Sequence, residues 1–251
     1  MEILGIDIGG SGIKGAVVDI KKGELVSERV RIPTPNPPTP EAMLDTVAVL
    51  VSGFKWKGVI GCGFPAVVQH EIVKTASNID KTWIGVNAAK QIKSLTGCPT
   101  HVVNDVDAAG LAEMKFGAGK KRKGVTIMLA AGTGIGSAIF INKKLVPNSE
   151  LGFIHVNGMP GEHYAANSVR ERENLSLEVW AKRFNEYLVR LESLFWPDLF
   201  IIGGGISKKF EMFSEHINLD TKVVPAMTRN HAGIIGGALA AESIKLKKKS
   251  K

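Results

Sequence analysis

A chain of 251 residues with 44% apolar and 22% charged residues has the length for one large or two modest domains and a water-facing composition. Its apolar runs are shorter than a bilayer span, and no basic start leads into a long apolar stretch. A membrane protein and a secretory leader are therefore not expected. The formal net charge is +8, of which Lys245, Lys247, Lys248, Lys249 and Lys251 supply five in a C-terminal tail. A second dense cluster, Lys120-Lys121-Arg122-Lys123, lies mid-chain. Such runs are either solvated segments or polyanion contacts. Cys62 and Cys98 lack metal-ligand spacing and read as reduced thiols of a cytoplasmic protein.

In chain order, strands are expected near 3–9, 13–20 and 24–32. The turn between the first two holds Gly9, Gly10, Ser11 and Gly12. It is either a tight hairpin turn or a cradle whose backbone N–H groups receive a phosphate. Asp7, at the end of the first strand, could orient a hydrated Mg2+ beside that phosphate. Lys14 would neutralise phosphate charge or stand as an exposed strand lysine. The proline-rich bend Pro33 to Pro40 precedes a helix from Glu41 to Val51, with Thr39 as its cap. A buried strand, Gly58 to Phe64, runs into Pro65 and Ala66. Glu71 to Thr75 reads as a hairpin partner, Val86 to Leu95 as a helix and His101 to Val103 as a strand. That strand delivers Asn104 and Asp105, which serve as a helix cap or as chemistry at a strand end. A helix follows from Ala108 to Phe116.

The second half repeats the theme. Val125 to Ala130 and Ser137 to Ile141 are strands flanking a glycine turn of Gly132, Thr133, Gly134, Ile135 and Gly136. Leu175 to Phe195 has helical periodicity. The strand Leu199 to Ile202 opens into Gly203, Gly204 and Gly205, with Ser207 as a cap for the next helix. A last helix is expected from Ala232 to Leu246. Two glycine hairpins, each opening a β/α unit, imply a duplicated α/β architecture with a ligand cleft between two domains. Residues 1–107 with a C-terminal helix 235–251 would form the smaller domain and 108–234 the larger.

The set Asp7 to Lys14, Asn104-Asp105, Gly132 to Gly136, Asn148 to Gly152 and Gly203 to Ile206 resembles the ROK sugar kinases. These have the two-domain ribonuclease-H-like (actin-like ATPase/hexokinase) fold. The segments Ala76 to Gly85, Asp105 to Gly110 and Glu192 to Gly205 are similar to one ROK branch in particular. That branch phosphorylates glucose from inorganic polyphosphate, often with ATP as a second donor. The cysteine cluster that binds zinc in many ROK proteins is missing between Asn157 and Arg172, so no zinc is expected.

The resemblance implies Asp105 as catalytic base, accepting the proton of the glucose 6-hydroxyl. It implies sugar contacts from Asn78, Gly63, Pro65, Asn104, Glu150 and Glu162. Gly9 to Gly12, Lys14 and Gly132 to Gly136 would hold donor phosphates. Gly204 and Gly205 would approach adenosine when ATP is bound, and Asp7 would hold Mg2+ through water. The family pattern Glu-x-Gly-His becomes Glu150-Leu151-Gly152-Phe153 here. His155, two residues on, would share a strand face with Phe153 and could substitute.

The resemblance further implies a cytoplasmic homodimer with no nucleic-acid partner. The competing readings are an ATP-only hexose or amino-sugar kinase of the same family, and a non-catalytic sugar- or polyphosphate-binding protein. A sugar-responsive repressor would carry an N-terminal helix-turn-helix, for which a first strand starting at Glu2 leaves no room.

Overall fold

Ile3, Leu4, Ile6 and Ile8 are buried to within 1% of full burial, which an aliphatic run in mid-sheet achieves as a strand. The computed structural model describes residues 1–242 and Ile244. In it β1 (Glu2–Gly9) pairs antiparallel with β2 (Gly12–Asp19) along their whole length, from Glu2↔Asp19 to Gly9↔Gly12. The expected strand over 24–32 is two short ones, β3 (Glu24–Leu25) and β4 (Val30–Ile32), both on β2. The Ser27 hydroxyl accepts the Val17 N–H at 2.9 Å. A side chain thus takes a ladder position, and the backbone pairing lapses there.

Helix α1 (Pro40–Gly53) starts as its sequence dictates: Thr39 Oγ1 accepts from the Ala42 N–H and Pro40 takes the first helical position. β5 (Ile60–Phe64) lies parallel to β1. A small hairpin follows, β6 (Val68–Gln69) with β7 (Ile72–Val73). Helix α2 (Ala88–Thr96) is capped by Asn87, and β8 (Thr100–Asn104) completes the sheet beside β5. The order is β3-β2-β1-β5-β8, with β4 also on β2. Helix α3 (Asp105–Phe116) begins directly where β8 ends, three residues ahead of the expected start. Asn104 caps it, so no loop separates strand from helix.

A second sheet, β11-β10-β9-β14-β15, follows. Its strands are β9 (Val125–Ala131), β10 (Ile135–Ile141), β11 (Lys144–Val146), and later β14 and β15. Between them lie β12 (His155–Val156), β13 (Met159–Pro160), α4 (Gly161–Ala165), α5 (Asn167–Arg172) and α6 (Leu177–Phe195). β14 (Leu199–Gly203) runs parallel to both β9 and β15 (Val223–Pro225). Helix α6 buries Trp180, Phe184, Tyr187, Leu188 and Leu191 against this sheet. Trp180 stacks on Phe184 with centroids 5.0 Å apart. The helix ends at Trp196, left-handed at φ 44°, just before Pro197.

Contacts divide the chain into one unit of Met1–Ala112 with the segment from Asn230, and a second of Glu113–Arg229. The first division falls inside α3 and not at 107/108, because Ala108 packs against Gly63 and Gly236 of the first unit. The second falls ahead of α7 (Ala232–Ala240) instead of at 234/235. The lysine tail, and the expected extension of the last helix to Leu246, lie outside the described residues apart from Ile244.

Helix α7 touches the first sheet backbone to backbone. A Cβ on Gly61 of β5 would collide with the Gly237 carbonyl, and one on Gly236 with the Ala108 carbonyl. Backbone cannot yield as a flexible side chain can. Gly61→Ala is therefore expected to destabilise the fold by about 3 kcal/mol or more. Gly53→Ala, where a Cβ would meet nothing within 4 Å, should be neutral or slightly stabilising. Urea midpoints of the two variants check this; equal midpoints would refute the close-contact argument.

Candidate active site

The first glycine turn is built from behind. Register aligns Gly63, Asp7, Lys14 and Arg31 in one row across β5, β1, β2 and β4. Asp7 Oδ2 and Lys14 Nζ form an ion pair at 3.0 Å, as opposite charges facing each other across two strands do. Lys14 is thus the partner of Asp7 first, and whatever it gives a phosphate it gives from that pairing. Arg31 donates to the Ser11 carbonyl at 2.7 Å and Thr34 to the Gly9 carbonyl at 2.5 Å. Two carbonyls that would repel an anion are turned onto protein donors, while Gly10 and Ser11 remain exposed. Neither Arg31 nor Thr34 was legible as a site residue, since only the strand register brings them to the turn.

Asn104 and Asp105 divide the two roles open to them. Asn104 Oδ1 accepts from the Val106 N–H at 2.8 Å and the Asp107 N–H at 3.1 Å, and its Nδ2 donates to the Ala66 carbonyl at 3.1 Å. Asn104 is therefore the helix cap. Oδ1 serves α3 and one Nδ2 proton is committed to Ala66, so the expected contact with a sugar hydroxyl would fall to the second Nδ2 proton. Asp105 is the first residue of α3, where the helix dipole favours a carboxylate. Its Oδ1 accepts from the Val106 N–H at 2.9 Å. Gly63 lies beneath this turn, where a Cβ would meet Ala108 Cβ at 3.3 Å and Asp105 Cα at 3.4 Å. Pro65 precedes Ala66, the residue Asn104 holds. Asn78 is exposed on a loop.

The second hairpin repeats the device of the first. Ser168 donates through its N–H to the Gly132 carbonyl at 3.0 Å and through its hydroxyl to the Thr133 carbonyl at 2.6 Å. Glu162 Oε2 accepts from the Ile135 N–H at 3.4 Å, and a Cβ on Gly134 would strike that carboxylate. Glu162 therefore lies against the second glycine hairpin. Glu150 is held on both sides by the buried Ser137, whose hydroxyl donates to the Ser149 carbonyl at 2.7 Å and accepts from the Leu151 N–H at 2.9 Å. Burial pushes the Glu150 carboxyl above its usual range, and the charge of Glu162 adds to that. The two acids thus form a like-charged set within the second unit.

Phe153 and His155 do not share a strand. Phe153 closes a 3-10 turn, Leu151–Phe153, while His155 lies on β12. The expected shared strand face is corrected, because the two residues lie in different elements. Both residues are exposed.

The third glycine run follows β14. Gly204 adopts φ 78° against Ala131, where a Cβ would lie 2.7 Å from the Ala131 carbonyl. Ser207 does not cap a helix from outside; it lies within a 3-10 helix, Gly205–Met212, and its hydroxyl donates to the Gly204 carbonyl at 2.8 Å. Beside it opens a groove of about 400 Å³ lined by Ser207, Lys208, Pro225, Met227 and Arg229, among others. The fully buried Glu113 holds the groove's far wall: Oε1 accepts from the Met227 N–H at 2.9 Å and from the Thr228 N–H at 2.7 Å.

A magnesium ion fits here only in a hydrated form. Among the described residues no three His, Cys, Asp or Glu side chains gather as a metal site. Asp7 offers one partly exposed carboxylate, which suits an ion held mainly by donor phosphates and water. Cys62 and Cys98 are buried free thiols. No described helix is long and apolar enough to cross a membrane.

Glycine hairpins opening two sheets, with a strand-end carboxylate and a pair of acids, define a sugar kinase of the actin-like ATPase fold. The model of the ROK family matches residues 3–163. The chain is 47% identical over 238 residues to polyphosphate glucokinase of Mycobacterium tuberculosis, covering 94% of this chain and 90% of that protein. It is also similar to the structure of inorganic polyphosphate/ATP-glucomannokinase from Arthrobacter sp. strain KM. There the TM-score is 0.91 and the identity 43%, over 98% of this chain and 99% of that one. A ROK family glucokinase from Streptomyces griseus, in complex with glucose and AMPPNP, gives a TM-score of 0.79 at 26% identity, over 97% and 100% of the two chains. The chain belongs to the ROK family.

The raised carboxyl of Glu150 has a consequence for stability. A carboxylate whose folded pKa lies above its unfolded value binds more protons when folded, so stability falls as pH rises through that window. Glu150→Gln should therefore be more stable than the parent at neutral pH, and the difference should shrink as pH drops into the ordinary carboxylate range. Urea titrations at several pH values check this. A variant less stable than the parent at neutral pH would show that the acids are not in mutual repulsion.

Proposed function

We propose that this protein transfers a phosphoryl group from inorganic polyphosphate, and from ATP, to the 6-hydroxyl of D-glucose, giving glucose 6-phosphate. The observation that carries the reading is Asp105, set rigidly at the start of α3 by the three hydrogen bonds of Asn104. The likeness to a polyphosphate glucokinase over nearly the whole chain supports it.

In the reaction, Asp105 accepts the proton of the sugar hydroxyl as the oxygen attacks the terminal phosphorus. The new O–P bond forms as the phosphoanhydride bond breaks, and the shortened donor leaves with its charge. Proton acceptance of this kind contributes roughly 10²–10⁴-fold. Glu150 and Glu162 would accept hydrogen bonds from the remaining hydroxyls. Their mutual repulsion eases when donors of a bound sugar approach. Asn78, Gly63, Pro65, Asn104 and His155 belong to the same sugar-binding reading.

The turns Gly9–Gly12 and Gly132–Gly136 offer N–H groups to the donor phosphates, with Lys14 adding positive charge. Mg2+ would be held by Asp7 through water and by the donor; it would supply charge neutralisation on the transferring phosphoryl group. The groove beside Gly204 and Gly205 favours ATP as an additional donor, since it has room for a nucleoside that polyphosphate lacks. The reading extends to a cytoplasmic homodimer, which light scattering on the purified protein tests.

A donor panel with glucose and Mg2+ tests the reaction: glucose 6-phosphate should form with polyphosphate and with ATP. Formation from ATP alone would leave an ATP-only hexose kinase. Asp105→Asn should lower kcat by roughly 10²–10⁴-fold with either donor while the glucose dissociation constant stays within a few-fold. A folded Asp105→Asn protein with near-parent turnover would remove the base assignment.

A further inference from the structure

Lys120, Lys121, Arg122 and Lys123 occupy the loop between α3 and β9, while Lys143 lies in the turn between β10 and β11 and Lys144 opens β11. The two loops are joined: Lys143 Nζ donates to the Lys120 carbonyl, the Asn142 N–H to the Gly124 carbonyl, and the Gly124 N–H to Asn142 Oδ1. Six cations are thus gathered on one edge. Among the described residues none of the six is in an ion pair. Elsewhere in the same unit some surface bases are matched, as Lys182 is with Glu178 and Arg183 with Glu173, while others, such as Arg190 and Lys222, stand apart from one another in the chain. The acid beside this edge, Asp198, accepts the Val125 N–H at 2.7 Å and leaves a large positive excess.

The position of the edge matters as much as its charge. β9 runs from Val125 to Ala131, and the phosphate hairpin Gly132–Gly136 lies at its far end. Seven residues of strand span roughly 20 Å. The cluster therefore cannot touch the phosphate being transferred. It would also lie beyond reach of an ATP whose phosphates are held at the hairpin, more than a Debye length of about 8–10 Å away.

We propose that this edge is a distal anchoring site for long-chain polyphosphate, contacting a part of the polyanion remote from its reacting end. The inference rests on polyphosphate being a donor. A chain that spans from hairpin to edge releases counterions at both, so it binds more tightly and with a steeper salt dependence than a short one. The edge thereby selects donor length, and after each transfer it holds the shortened chain close to the site. Single-stranded RNA carries charge of the same sign, but its bases favour aromatic platforms, and the two loops, Gly117 to Gly124 and Asn142 to Lys144, contain no aromatic residue.

The test compares the parent with a Lys120→Gln/Lys121→Gln/Arg122→Gln/Lys123→Gln variant and with a separate Lys143→Gln/Lys144→Gln variant. Donors are long-chain polyphosphate, tripolyphosphate and ATP, each at two salt concentrations. The expected result is a KM for long-chain polyphosphate raised on the order of tenfold with a flatter salt dependence, and little change for tripolyphosphate or ATP. Anisotropy of end-labelled long-chain polyphosphate should show the same loss without turnover. Equal changes for all three donors, unchanged long-chain kinetics in both variants, or loss of RNA binding with polyphosphate binding intact would each overturn the proposal. Should the parent use ATP but neither polyphosphate, the glucose-phosphorylation donor reading fails instead, and anisotropy still decides whether the edge binds the polyanion.

Discussion

One side chain, the amide of Asn104, sets the geometry on which the chemistry depends. Its oxygen takes two N–H groups from the first turn of α3 and its nitrogen holds the Ala66 carbonyl. A strand end, a helix start and a loop are fixed by one planar group with no rotatable bond between its donor and its acceptor. Asp105 follows immediately, so its carboxylate inherits that rigidity. A capping bond contributes about 1 kcal/mol to stability; its larger effect here is to remove freedom from the neighbouring Asp105.

The same economy appears in the two glycine hairpins. A glycine turn by itself offers carbonyls as readily as N–H groups to an incoming anion. In the first hairpin Arg31 and Thr34 occupy the carbonyls of Ser11 and Gly9; in the second, Ser168 occupies those of Gly132 and Thr133. The two sets of donors differ in residue type and in position along the chain, yet they do the same thing to the turn dipoles. The balance of donors and acceptors at these turns follows from what lies behind them, with the glycines supplying only room.

Strain and repulsion concentrate where binding is proposed. Burial, and then the charge of Glu162, raises the cost of ionising Glu150, while the Glu150 backbone is clamped by Ser137. The bulk of the stability is elsewhere, in the aliphatic faces of the two sheets and the aromatic stack of Trp180, Phe184 and Phe213. A fold with such cores tolerates a destabilising pair of acids at its site.

The sequence by itself determined the elements whose cause is local. Thr39-Pro40 starts a helix, Gly9 to Gly12 turns a hairpin, Pro197 ends the long helix, and the ordered motifs point to the ROK sugar kinases. Those signals act over a few residues, so they survive without knowledge of the fold. Tertiary structure decided what depends on register and crossing. It brought Arg31 and Thr34 behind the first turn, Ser168 and Glu162 behind the second, and Ser137 beneath Glu150. It made Asn104 a cap, separated Phe153 from His155 by a 3-10 turn, and split the strand at 24–32 where Ser27 enters the ladder. It also set the Lys120–Lys123 cluster at the far end of β9 from the phosphate hairpin that follows that strand in the chain. The physical reason is common to all of these: sequence spacing fixes a neighbour along the chain, whereas a hydrogen-bond partner across a sheet is fixed only when the strands have found their register.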